Sequence, residues 1–449
     1  MSSKKFNTLK ARHLATFRQV IGDAFVFTDG DTLEDYSHDY TEDLRFCPDV
    51  VLKPGNAQEI SAILGLCQQE GIAVTPAGAR TGLSGGMLPV YGGVILATDR
   101  LNKVLDIDTR NFQVTTQPAV VVQTLQDLVA EQGLFYPVDP ASRGSCFIGG
   151  NLAEGAGGLR AVKYGITKDY VLDLEVVLPT GEIIRTGART IKNSTGYNLT
   201  QLMVGSEGTL GIITEATLKL VSMPKTRMVM LAPFASAEMA CEAVSAIFHA
   251  GILPSVLEFM EKEAIDFAQD FLGAYPFDTK GIEAHLLIEA DGPNPETVMQ
   301  ECEAIYGVLE GFDCGEILFA ESSEEQERLW KVRRSIGEAT RAGHVVKEED
   351  TVVPRAELAK LVKHIRAVSH KFSIPAFCFG HAGDGNLHVH LPKPKGDAEV
   401  QHWEANINAA VREIFTGTVA LGGTLSGEHG IGWVQKDYMD IAFSKVVLR

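Results

Sequence analysis

The stretch Pro76-Ala-Gly-Ala-Arg-Thr-Gly-Leu-Ser-Gly-Gly86 carries four glycines in eleven residues and follows Ile72-Ala-Val-Thr-Pro76, a run that reads as a buried strand. Glycines let consecutive backbone N–H groups turn toward one point, which is how a loop binds phosphate without side chains. Upstream, Asp49-Val-Val-Leu-Lys-Pro54 reads as a second strand. Between the two, Asn56 caps a helix with Ile60, Ile63, Leu64 and Cys67 on one face, and Gly71 ends it. Strand, helix, strand and glycine loop make an α/β phosphate-binding start. The spacing is not the Gly-x-Gly-x-x-Gly of a Rossmann turn, and the chain has no Gly-Lys-Ser/Thr of a P-loop.

Downstream the alternation continues. A strand at 93–98, a strand-like run to Val120, a helix over 121–132 closed by Gly133 and a hairpin over 173–185 with a Pro-Thr-Gly turn all follow. Two more glycine-rich loops interrupt this half, at 139–158 and 205–211, so three such loops share one domain. After Pro224 they stop. Strands at 228–231, 255–259 and 285–288 alternate with amphipathic helices near 237–250, 261–272 and 295–309, which reads as a ferredoxin-like sheet with helices on one face. The expected fold class is α+β. Its expected divisions are 1–224 as two α/β subdomains, 225–425 as a ferredoxin-like α+β domain, and 426–449 as a segment returning to the first domain.

At 449 residues the chain exceeds a single small module. With 40 Lys and Arg against 58 Asp and Glu, its net charge of −18 repels nucleic acid and anionic lipid. No apolar run reaches membrane-spanning or signal-peptide length, which leads to the expectation of a cytoplasmic protein, at most peripheral to an inner membrane through a partner. The seven cysteines are scattered, with no Cys-x-x-Cys pair for zinc or an iron–sulfur cluster.

Four of the twelve histidines fall in Gly380-His-Ala-Gly-Asp-Gly-Asn-Leu-His-Val-His390 and Ser426-Gly-Glu-His-Gly-Ile-Gly432. Asp384-Gly385 between apolar runs signals a two-residue hairpin, whose register sets His381 directly opposite His388. Two facing histidines and one carboxylate make a common site for a catalytic divalent metal, Zn, Mn or Fe, and Glu428 is the natural third ligand. In extended backbone Glu428 and His429 point opposite ways, one to a metal and the other to substrate. His390 shares a face with His388 by parity.

The motifs Pro76-x-Gly-x-x-Thr-Gly-Leu-x-Gly-Gly86, Ile148-Gly-Gly-Asn151, Ala156-Gly-Gly158, Tyr164-Gly165 and Val204-Gly-Ser-Glu-Gly-Thr-Leu-Gly211 resemble the FAD domain of the vanillyl-alcohol oxidase and p-cresol methylhydroxylase flavoproteins. Over residues 40–440 the chain resembles their branch of D-2-hydroxy acid dehydrogenases, acting on D-lactate, glycolate or D-2-hydroxyglutarate. The resemblance implies a two-subdomain FAD-binding domain of that type with a substrate or cap domain. Pro76, Gly78, Thr81, Gly82, Leu83, Gly85 and Gly86 fall to the FAD pyrophosphate, and Ile148, Gly149, Gly150, Asn151, Gly157, Gly158, Glu207 and Gly208 line the rest. Ala79 and Arg80 stand where some relatives carry a flavin-linking histidine, which implies non-covalent FAD, and Cys146 is a buried small residue rather than a second attachment point.

The same resemblance makes His381, His388 and Glu428 the metal set, His429 the general base and Arg333, in Trp330-Lys-Val-Arg-Arg-Ser-Ile336, the carboxylate-binding arginine. Arg334 is the alternative, Lys347 is a second cation, and Asn386 hydrogen-bonds substrate. Gly337 stands where the hydroxyglutarate branch has a hydroxyl residue, which favours D-lactate or glycolate. Electrons would leave through a separate acceptor: a quinone, a cytochrome, an electron-transfer flavoprotein or an iron–sulfur subunit. A homodimer fits the branch. The chain stops at Arg449 where relatives continue, so it is expected to be truncated. Competing readings are D-2-hydroxyglutarate oxidation, flavin-assisted ether-lipid synthesis or aryl-alcohol oxidation, and a non-catalytic FAD-binding subunit.

Overall fold

The computed structural model describes residues 6–41, 44–312, 314–342 and 345–449. Contacts divide the chain into two compact units. One comprises the chain to Gly157 with Ile166–Met223 and Glu428–Lys436; the other comprises Gly158–Gly165, Pro224–Gly427 and Asp437–Arg449.

In the first unit the strand Val50–Leu52 leads into the helix Ala57–Glu70, where the Asn56 side chain accepts from Glu59 N and Gly71 closes the helix at φ 64°. The chain returns as Val74–Ala77, and Val94–Ala97 lies between these two strands, parallel to both. Their side chains are apolar nearly throughout, as parallel strands covered on both faces require. A second, antiparallel sheet runs in the order Val104–Asp108, Gln113–Thr116, Ile212–Lys219, Val171–Val177, Ile183–Arg185. The helices Val122–Ala130 and Ile148–Glu154 supply Leu125, Val129, Ile148 and Leu152 to the core on this sheet.

The second unit is built on one seven-stranded antiparallel sheet. Its first four strands, Thr226–Phe234, Val256–Glu261, Ala284–Gly292 and Leu318–Ala320, stand in the spatial order fourth, first, third, second, a ferredoxin-like arrangement. Phe377–Gly380, Asn386–Pro392 and Val346–Val352 extend it past the second strand. The helices lie on both faces, not on one. Ala237–His249, Pro295–Leu309, Leu358–Phe372 and Asp397–Ala420 pack on the face of Leu387, Val389 and Leu391. Lys262–Leu272 and Ser323–Arg341 pack on the face of Phe377 and Phe379. The cause is visible in Val256–Glu261, buried at every position and so without a wet face.

Residues 158–165 belong with this second unit, although they fall inside 1–224. Arg160 donates to the buried Glu289 at 3.0 Å, and Lys163 and Tyr164 both donate to Asp291, at 2.7 and 2.8 Å. Three charge-assisted bonds to two carboxylates outweigh their nearness in sequence to the glycine loops. Among the described residues no helix is long and apolar enough to cross a membrane.

Candidate active site

In the first unit the site is made of backbone. The loop after Val74–Ala77 turns through two left-handed residues, Arg80 at φ 63° and Gly85 at φ 73°. The N–H groups of Gly78, Ala79, Arg80, Thr81, Gly82 and Leu83 meet no acceptor among the described residues. A Cβ at Gly82 or at Gly150 would find nothing within 4 Å. Six backbone donors beside open space fit the pyrophosphate of a dinucleotide, because backbone donors left without an acceptor otherwise cost free energy. The other two loops close on this one. Gly78 approaches Gly150 N, and Gly208, at φ 70°, approaches Pro76 so closely that a Cβ would stand 2.4 Å from its ring.

Ile148 and Asn151 are buried in the first turn of their helix, and the Ile148 side chain is spent in the core, so only its backbone is offered to a ligand. Gly149 sits against Pro118, where a Cβ would lie 2.5 Å away. Burial pushes the Cys146 thiol up to about 11, which leaves little thiolate for attaching a flavin. Glu207 commits its side chain within the first unit. Its two carboxylate oxygens accept the N–H groups of Ile431 and Gly432, at 2.8 and 2.7 Å, so the side chain serves the C-terminal segment. Beside it, burial and the Glu207 charge push the Glu154 carboxyl up to about 8.

In the second unit the site is made of side chains held by side chains. The expected two-residue hairpin is instead a short 3-10 turn, Ala382–Asp384, so the register pairs His388 with Phe379 rather than with His381. Gly380 follows from this turn: at φ 152° its Cβ would lie 2.7 Å from Asn386 O. The two-residue shift preserves the face, because side chains alternate with period two. The imidazoles of His381 and His388 therefore still meet, with centroids 5.2 Å apart and the rings edge to face.

A carboxylate stands at Nδ1 of each ring. His381 Nδ1 is 2.8 Å from Glu258 Oε1, and His388 Nδ1 is 3.5 Å from Asp350 Oδ1. At His381 the contact is a hydrogen bond that favours the proton on Nδ1 and leaves Nε2 for a metal; at His388 the separation is that of an ion pair rather than a hydrogen bond. Glu258 is fully buried. Burial alone would raise its pKa, but Arg333 and His381 hold it below the usual carboxylate range. Arg333 reaches it through Nε at 2.7 Å and through Nη2, and lies over the Phe379 ring. The arginine expected to grip substrate is thus oriented by Glu258.

Two expected substrate contacts change. Lys347 pairs with Leu391 and lies 3.7 Å from Glu349, on the opposite face of the sheet from His388. The residue beside it on the histidine face is Glu348, opposite His390 and bonded by Arg341 at 2.7 Å. Asn386 donates its amide to Asp350 Oδ1 and to Thr351 O, at 2.7 and 3.0 Å, so its NH2 serves the strand beside it. Arg334 sits 3.5 Å from Glu327 on its own helix. Glu428 and His429 lie in the segment that packs with the first unit, where Glu428 Oε2 crowds Gly157: a Cβ there would be 2.8 Å away.

Sequence reasoning missed Glu258, Asp350, Glu348 and Arg341. For Glu258 a signal existed: one carboxylate inside the apolar run Val256-Leu-Glu-Phe259 has to be paired when that strand is buried.

A glycine-rich loop with open backbone donors in the first unit and buried histidine–carboxylate contacts in the second fall within the spans of two family models. The FAD binding domain model matches residues 48–187, and the model of the FAD linked oxidases' C-terminal domain matches 223–449. The chain is 41% identical to a glycolate oxidase subunit GlcD of Bacillus subtilis, over 91% of this chain and 86% of that protein. It is 36% identical to a D-lactate dehydrogenase of Anaerostipes hadrus, over 100% of this chain and 95% of that one. A D-2-hydroxyglutarate dehydrogenase of Xanthomonas citri is 33% identical over 91% and 86%. Among solved structures, p-cresol methylhydroxylase superposes with a TM-score of 0.74 at 16% identity, over 92% of this chain and 89% of that one. An alkyldihydroxyacetonephosphate synthase reaches 0.75 at 19%, over 97% and 83%, and at that identity the likeness concerns the fold alone. The protein belongs to the FAD-linked oxidase family, with the vanillyl-alcohol oxidase fold, and is an FAD-linked oxidoreductase.

Proposed function

We propose that the protein oxidises a D-2-hydroxy acid, D-lactate or glycolate in preference, to the 2-oxo acid, using non-covalent FAD and a divalent metal, Zn, Mn or Fe. The observation that carries this reading is the meeting of His381 and His388 with a buried carboxylate at Nδ1 of each ring. Relatives named for D-lactate, glycolate and D-2-hydroxyglutarate support the substrate class.

FAD, held by the glycine-rich loops of the first unit, would supply the acceptor for the hydride that leaves the substrate carbon. His381, His388 and Glu428 would hold the metal, which when bound would supply a Lewis acid for the substrate hydroxyl. His429 takes the hydroxyl proton as general base. Arg333 binds the substrate carboxylate with the part of its guanidinium that Glu258 does not engage, and the Glu258 pair fixes its plane beforehand. The electrons would leave through a separate acceptor: a quinone, a cytochrome, an electron-transfer flavoprotein or an iron–sulfur subunit.

The test is an anaerobic absorbance titration of the metal-replete protein with D-lactate, L-lactate, glycolate and D-2-hydroxyglutarate, following the oxidised flavin band near about 450 nm. D-lactate or glycolate should bleach it, L-lactate should not, and a chelator should abolish the response. A bound flavin that none of the four reduces would overturn the proposal.

A further inference from the structure

Residues 426–432 contain three glycines around Glu428 and His429, and the structure accounts for each. A Cβ at Gly427 would stand 2.5 Å from the Val352 side chain and 2.9 Å from Asn386 Nδ2. At Gly430, φ 86°, it would stand 2.0 Å from Glu154 Oε2, and at Gly432, φ 47°, 2.3 Å from Ser84 O. Glycine spacing here records close backbone packing on both sides of the two functional residues. What the backbone packs toward is, at each end, a carboxylate.

At the near end Asp350 Oδ2 accepts from Ser426 Oγ at 2.9 Å and from Gly427 N at 2.8 Å, while its Oδ1 accepts from Asn386 and lies 3.5 Å from His388 Nδ1. Asp350 is 1% exposed. At the far end Glu207 spends one oxygen on each of two successive N–H groups, Ile431 and Gly432. It does so from a left-handed backbone position, φ 51°, which a glutamate adopts only at a cost in strain. Its own N–H is tied to Ala153 O at 2.8 Å, so the strained residue is fixed to the helix Ile148–Glu154. Charged acceptors on backbone donors are among the stronger hydrogen bonds; Asp350 makes its own from a buried position and Glu207 from a half-buried one.

We infer that Asp350 and Glu207 are positioning residues: a two-ended clamp that fixes residues 427–432 so that Glu428 and His429 are presented to metal and substrate. This rests on the function proposed above for Glu428 and His429. Neither clamp residue touches substrate in this scheme. Asp350 has a second part, since the same carboxylate that holds Gly427 stands at the ring of His388 and so links the placement of the loop to that of a metal ligand.

The test uses the FAD-loaded full chain and two amide variants, Asp350→Asn and Glu207→Gln, each placing an NH2 where a backbone N–H now donates. Hydrogen–deuterium exchange of the peptide spanning 424–434 is the first readout. It should rise by about tenfold or more in either variant, the loss of one charged hydrogen bond, while peptides of the two sheets stay unchanged. The second readout is the rate of flavin reduction by saturating D-lactate or glycolate, which should fall about a hundredfold with a much smaller change in half-saturation. Both variants should lower bound metal through Glu428, and Asp350→Asn the more, because the same carboxylate stands beside His388.

Unchanged exchange in both variants would overturn the clamp. Faster exchange with an unaltered reduction rate would overturn its positioning role. If wild-type flavin is reduced by no hydroxy acid, the function proposed above fails, and the clamp then stands or falls on exchange alone. Should Asp350→Asn fold poorly, Asp350→Glu keeps the charge at a longer reach, and loop exchange at the wild-type rate there would also count against the clamp.

Discussion

The first unit prepares its site with backbone and glycine, the second with buried side chains paired to one another. The difference teaches how each fails. A backbone cradle is indifferent to charge and intolerant of a single added carbon, whereas the histidine lattice tolerates small changes in volume and is intolerant of a lost charge. Substitutions of two kinds separate them.

The largest effect belongs to the lattice. His388→Ala should remove the metal and slow flavin reduction by about a thousandfold, roughly 4 kcal/mol, with the flavin spectrum retained; metal analysis beside stopped-flow reduction checks it, and full activity with no metal would break the contrast. Next, Glu258→Gln leaves Arg333 and His381 without their shared charge, and breaking a buried pair costs about 3–5 kcal/mol. Thermal unfolding should shift down sharply, and the half-saturation for substrate should rise as Arg333 loses its orientation.

In the cradle, Gly208→Ala forces a Cβ into the Pro76 ring at φ 70°. The expected cost is about 2 kcal/mol, seen as weaker retention of FAD on gel filtration, with the metal content of the second unit unchanged. The smallest effect is a pH dependence within the first unit. Glu154 is held up to about 8, so between its ordinary value near 4.5 and about 8 the folded protein keeps a proton that the unfolded chain has released. Stability from this group is full at low pH and is lost as pH rises through that window. Glu154→Gln should flatten the difference between melts at pH 6 and pH 9, and a slope equal to wild type would exclude Glu154 as its source.

The two units also differ in how far they could be read in advance. Asn56, Gly71 and the apolar face between them specify a helix locally, and the glycine loops declare backbone geometry directly, so the first unit's elements were legible. In the second unit the strand and helix alternation was visible, but helices on both faces follow from burial that depends on partners distant in sequence. The hairpin failed by two residues because Asp384-Gly385 is also compatible with a 3-10 turn, and Gly380, the last residue of its strand, lets the chain cross close to Asn386. Parity survived, so the histidine pair did too; the sequence offered no register for Lys347, and one residue along a strand changes the face. Asp350 was hidden in the acidic run Glu348-Glu-Asp350, which reads as solvated surface until cross-strand register shows the middle member facing one way and its neighbours the other.

Glu258 carries a consequence for how such a site changes over evolutionary time. One carboxylate serves the arginine assigned to substrate and the histidine assigned to metal, so the two functions share a tether. A mutation that retunes acid preference by moving Arg333 also releases a restraint on His381, and its effect will not add to that of a mutation at the metal site. New specificity is therefore reached more readily from positions outside this triad, such as Gly337 and Arg341 one and two turns along the same helix, where the arginine already folds back over the space that the glycine leaves.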